Sequence, residues 1–134
     1  MNIVAFLAFA VELFLLGAIV GSIMMLAAAM KASAAVFTQK TWVIAGFIIL
    51  PLLFSFYHYE HWYDVLTMIA HVTGALTFFS KNVVRMRLLA PIGTILWAVH
   101  NVVVGAWGQF IADMFILTSM AIGAVRHYRK ALQK

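Results

Sequence analysis

An all-α integral membrane bundle is the fold class this sequence predicts, and three observations carry the prediction. Hydrophobic residues make up 66% of the 134-residue chain and charged residues 10%, where soluble domains run at roughly 45–50% and 25%. The apolar stretches come in runs close to the length of a membrane span. The basic residues are clustered between alternate runs, not spread over one face. A soluble domain of this length could not cover its surface with nine basic and four acidic side chains, whereas lipid solvates apolar surface directly. The net charge of +5 does not mark a nucleic-acid footprint, because Lys31 and Lys40, then Lys81, Arg85 and Arg87, then Arg126, Arg129, Lys130 and Lys134 sit in short groups, as cytoplasmic loops require. With no cysteine, the chain has no disulfide framework, thiolate metal site or redox pair. By length it is a single domain, 1–134.

Four spans follow directly from the apolar runs. Residues 42–57 form one, closed by the polar aromatic stretch His58-Tyr59-Glu60-His61-Trp62-Tyr63-Asp64. Residues 65–80 form the next, ending at Lys81. Residues 88–104 follow, then Gly105-Ala106-Trp107-Gly108 as a turn, and residues 109–125 close on Arg126-His127-Tyr128-Arg129-Lys130. The region before Trp42 is ambiguous. It lacks the basic start and cleavage site of a signal peptide and reads as mature protein. Taken as one helix, residues 2–37 would run about 54 Å, nearly twice the hydrocarbon thickness. Two descriptions remain: one long helix at about 3–30 with Gly17 and Gly21 as a packing face, which makes five spans, or two short helices turning at Gly17–Gly21.

An internal repeat favours the second. Shifted by 88 positions, AVELFLLGAIVGSI (10–23) aligns with AVHNVVVGAWGQFI (98–111), matching Ala10, Val11, Gly17, Ala18 and Ile23 to Ala98, Val99, Gly105, Ala106 and Ile111. The Gly-Ala pair falls at the turn in both copies, so a hairpin in one predicts a hairpin in the other. With six short spans, the turns at 17–21, 58–64 and 105–108 contain no Lys or Arg, and Lys31 snorkels from the second span. Both termini are then cytoplasmic.

The stretch LWAVHNVVVGAWGQFIADMFILTSMAIGAVRHYRK (96–130) carries a resemblance. Trp97, His100 and Asn101, the glycines 105 and 108, Asp113 inside the next helix, and Arg126 and Arg129 at its end resemble the C-terminal signature of the YgjV-type bacterial inner membrane proteins. Weaker similarity extends back through Trp42-Val43 to Phe14-Leu15-Leu16-Gly17. That family in turn resembles the SWEET, PQ-loop and MtN3-like proteins, built from two parallel three-helix units and a linker helix. The resemblance implies a partial first unit at 1–38, a linker at 42–57 and a complete second unit at 64–130. It implies residence in the bacterial inner membrane, passage of a small polar solute between the two units, and no enzymatic activity. It leaves the family's first helix without a counterpart ahead of Ala5, which implies a second copy completing the bundle as a homodimer. No Pro-Gln hinge is present, and Met120 and Gly123 stand where the superfamily leads one to expect asparagines.

Polar groups at membrane depth are costly and call for a partner or a function. Glu12 and His100 occupy equivalent places in the two repeats, about 7 Å below the outer surface at 1.5 Å per residue. Asp113 lies at a similar distance after the Gly105 turn, within reach of His100, and His71 is expected at comparable depth. Glu12, His71, His100, Asn101 and Asp113, with Trp97 beside them, are therefore the candidate lining of a hydrated outer cavity. Interhelical hydrogen bonds that merely set register are the structural alternative, and a non-transporting scaffold or accessory subunit is the functional one. His58-x-x-His61 lies in an interfacial aromatic loop and is not read as a metal site. No cofactor, ATP-binding loop or hydrolase triad is expected, and the bilayer is the expected partner.

Overall fold

The computed structural model describes residues 3–37, 40–80 and 82–132. The described residues form six α-helices: α1 (Ile3–Leu15), α2 (Ile19–Phe37), α3 (Thr41–Tyr57), α4 (Asp64–Phe78), α5 (Val83–Val104) and α6 (Trp107–Leu132). Each helix packs against the next in the chain. α2 also lies against α4.

The N-terminal region is a hairpin, as the repeat predicts, and its turn is the same structure as the one between α5 and α6. Gly17 has φ of 76° and Gly105 has φ of 78°, and they are the only described residues in the left-handed region. In the first turn Gly17 N–H donates to Phe14 O and Ala18 N–H to Leu13 O. In the second, Gly105 N–H donates to Val102 O and Ala106 N–H to Asn101 O. Every partner is displaced by 88 residues. The paired bonds from the glycine and from the residue after it are the Schellman arrangement, which satisfies carbonyls that a helix end would leave bare. The two tips also meet: Leu13, Ala18 and Ala106 share one buried cluster with Phe6, Ala10, Met25 and Ala29.

The other elements differ from expectation mainly in length. α5 begins at Val83 instead of 88, because the Asn82 side chain accepts from Val84 N–H (2.9 Å) and Arg85 N–H (3.3 Å) and starts the helix early. Arg85 and Arg87 are therefore helical and exposed. α6 continues past 125 to Leu132. α4 and α5 approach closely at Gly93, where an added methyl would lie 2.9 Å from Thr73 Oγ1.

Lys31 does not snorkel. It is 1% exposed, held inside by bonds from Nζ to His71.

The exterior is apolar along the helices, with Phe14, Leu15, Phe54 and Phe115 all more than half exposed. Among the described residues, two helices, Val83–Val104 and Trp107–Arg126, are long and apolar enough to cross a bilayer. Four further apolar segments, Ile3–Leu15, Ile19–Ala34, Ala45–Tyr57 and Asp64–Thr77, are shorter.

Nothing lies within 4 Å of a methyl added at Gly17 or Gly105, so alanine there meets only the left-handed backbone. Gly17→Ala and Gly105→Ala should each destabilise by about 1–2 kcal/mol. Equal losses in thermal unfolding of the detergent-solubilised protein are the expected result, and a loss at one position alone would contradict the shared turn.

Candidate functional site

The site grows out of the second turn. The last two turns of α5 carry Trp97, His100 and Asn101, and the first two turns of α6 carry Gln109 and Asp113, four residues apart and so on one face. The Gly105–Ala106 reversal brings these faces together. Asn101 Nδ2 donates to Asp113 Oδ2 at 2.8 Å. Having donated through its nitrogen, Asn101 turns its carbonyl oxygen toward His100, whose Nδ1 lies 3.5 Å away. That oxygen can only accept, so Nδ1 carries the hydrogen and Nε2 presents a bare lone pair.

All five polar members but one are nearly sealed from solvent. His100 and Asn101 are 0% exposed, Gln109 1% and Asp113 8%; Glu12 is half-buried. Burial is not matched by pairing. Among the described residues, His100 Nε2 and both polar side-chain atoms of Gln109 lie buried without a hydrogen-bond partner. His100 is gripped by rings: Trp97 meets it edge-on with centroids 5.8 Å apart, and so does Tyr63 at 5.8 Å.

Tyr63 links this layer to the loop between α3 and α4. Its ring stacks on His61 at 4.9 Å, and burial, with Asp64 and Glu60 adding to it, pushes its phenol up. Asp64, expected in an exposed loop, is 4% exposed. Its Oδ2 accepts from Glu60 N–H (3.2 Å) and His61 N–H (3.0 Å), folding the loop against the start of α4.

Four of the six sequence candidates come together here: Trp97, His100, Asn101 and Asp113. Asp113 reaches His100 only through Asn101, not by the direct pair expected. Glu12 approaches from the other hairpin. A methyl on Gly108 would lie 3.2 Å from Glu12 Oε1, so the carboxylate rests on the first turn of α6, where exposed N–H groups and the helix dipole favour negative charge.

The remaining candidate, His71, does not belong to the layer. It pairs with Lys31, roughly 10 Å further along α4 from Asp64, because α4 begins beside His100 and not at the level of the turn tips. Two members were missed in the sequence. Gln109 was in plain view one helical turn before Asp113. Gly21 was read as a turn residue or, in the one-helix alternative, as part of a packing face with Gly17, not as a neighbour of His100, yet a methyl there would lie 2.9 Å from His100 Cε1.

The repeat supplies an internal control. At the positions equivalent to Asn101, Gln109 and Asp113, the first copy has Leu13, Gly21 and Met25, and Leu13 and Met25 sit in one apolar cluster. Two cavities at the surface, about 540 Å³ beside Leu52, Phe56 and Val72 and about 330 Å³ beside Ala98, Phe110 and Leu117, are apolar and exclude the polar layer.

Asn101→Leu leaves the Asp113 carboxyl buried without its donor and should cost about 2–3 kcal/mol. The double change Asn101→Leu with Asp113→Met rebuilds the Leu13 and Met25 pair and should recover most of that loss. Thermal unfolding of the three proteins checks both. Gly21→Ala should destabilise clearly more than Gly46→Ala, which meets nothing within 4 Å.

The model of the Imp-YgjV family, described as a bacterial inner membrane protein, matches residues 1–131. Neither a curated protein nor a solved structure matches the chain.

Proposed function

The chain belongs to the Imp-YgjV family of bacterial inner membrane proteins, and on that footing we propose that it crosses the membrane six times and passes a small polar solute through the His100–Asn101–Gln109–Asp113 layer. One observation carries the reading: three buried polar atoms, His100 Nε2 and the two of Gln109, have no partner among the described residues. In hydrocarbon each unpaired group costs about 1–3 kcal/mol, and a polar occupant that both donates and accepts would supply what is missing. Nε2 needs a donor, the Gln109 oxygen another, and the Gln109 amide an acceptor.

The first repeat strengthens this. It builds the same hairpin with Leu13 and Met25, so the polar version is not needed to hold the hairpin together. The hairpin that carries the layer and the first hairpin packed against it are the units that would rock to expose it. Six crossings agree with the absence of Lys and Arg from the turns at 16–18, 58–63 and 105–106. The shorter segments fit a thin, snorkelled bundle. The termini are then both cytoplasmic.

A scaffold role has one observation in its favour, the apolar character of these two surface cavities. The chain has no cysteine, which makes the two readings separable. A lone cysteine replacing Gln109 should be modified by a membrane-impermeant thiol reagent applied to the outer face of sealed vesicles. A cysteine that reacts only after unfolding would leave the layer dry and the scaffold reading standing. Reporters fused to each terminus should both lie in the cytoplasm; an external N-terminus would mean five crossings.

A further inference from the structure

Lys31 is the largest fully buried side chain among the described residues, and the polar layer does not use it. It lies twelve residues along α2 from Ile19, roughly 18 Å below the turn. Its Nζ lies 3.2 Å from His71 Nδ1 and 3.3 Å from the His71 carbonyl oxygen. The other ring nitrogen, His71 Nε2, lies 2.9 Å from the Phe47 carbonyl oxygen. That carbonyl can only accept, so Nε2 carries the ring hydrogen and Nδ1 offers Lys31 a lone pair. One contact therefore joins α2, α3 and α4.

The count of hydrogens matters. Lys31 has two acceptors, both neutral. An amine has two N–H groups to give them; an ammonium has three and brings a charge. None of the four side-chain carboxylates is near to balance that charge. Glu12 rests on Gly108, Glu60 is exposed in the loop between α3 and α4, Asp64 holds the N–H groups of residues 60 and 61, and Asp113 holds Asn101. On the helices around α2, the other titratable or charged groups are Tyr57, His71, His100, Arg85 and Arg87, with Lys40 at the start of α3. Of these only His71 touches Lys31. Tyr57, Arg85, Arg87 and Lys40 are exposed, and His100 lies against Gly21, ten residues or roughly 15 Å back along α2.

We propose that Lys31 is a proton-binding site, a neutral amine while α2, α3 and α4 are closed around it and an ammonium when they part. Its lone pair takes a proton from hydronium: an N–H bond forms as an O–H bond breaks, and a water molecule is left. The added N–H then needs a third acceptor, which water entering between the parted helices supplies. Proton occupancy and helix separation are thereby one equilibrium, since a ligand that suits one state better shifts the population toward it. This stands apart from the solute path: the state of Lys31 is readable whether or not anything crosses.

The test is ¹⁵N NMR of the full chain in lipid nanodiscs, with lysine labelled at Nζ. Replacing Lys40, Lys81, Lys130 and Lys134 by arginine keeps every positive charge and leaves Lys31 as the one lysine. Its resonance is expected at the free-amine position at neutral pH, shifting to the ammonium position on acidification. In the unreplaced protein, the resonance that Lys31→Met removes identifies the same signal should the arginine variant fold poorly. A Lys31 signal at the ammonium position at neutral pH, in either protein, would overturn the proposal.

Discussion

Two glycines in the left-handed region hold the architecture together. A chain crossing hydrocarbon must satisfy its backbone internally, and a helix that stops leaves carbonyls bare. Gly17 and Gly105 solve this the same way, turning the chain in two residues while returning N–H groups to the helix just ended. Because both turns are tight, α1 and α2, and likewise α5 and α6, emerge side by side. Because the tips share a cluster, the hairpins interlock: His100 of one seats on Gly21 of the other, and Glu12 of that other seats on Gly108. Gly108 adjoins the counterpart of Gly21, so these contacts are close to reciprocal.

On this near-symmetric frame the chemistry is lopsided. The first hairpin is closed by leucine and methionine, the second by an asparagine–aspartate bond that reaches into a sealed and only partly paired layer. A fold that needed polarity for register would be expected to use it in both copies. The asymmetry places the chemistry on one side and packing on the other. Lys31 and His71 form a second polar station deeper in the bundle, built on different helices and carrying no carboxylate.

Much of this could be read from residues. The hairpin before Trp42 was legible because Gly-Ala recurs at a distance of 88, and the grouping of His100, Asn101 and Asp113 because helical spacing and one turn bring them face to face. What failed was depth. His71 was placed by counting from the start of its helix, as though every helix began at one level; α4 begins lower, beside His100, so His71 falls a further 10 Å or so down. Lys31 was assigned to the surface because lysines near helix ends usually reach it. That its amine finds two acceptors inside depends on α3 and α4, about which the local sequence around Lys31 says nothing.

The sequence by itself determined the helical class, the membrane setting and the two hairpins, since these rest on composition, span length and turn chemistry, all of them local or periodic. Tertiary structure alone decided which polar atoms are paired. Asn101 takes Asp113 and leaves His100 Nε2 bare, Gln109 is sealed with no partner, and Lys31 finds His71. Pairing depends on the relative heights and rotations of helices far apart in the chain, and a few ångströms along a helix axis separate a satisfied group from an orphan.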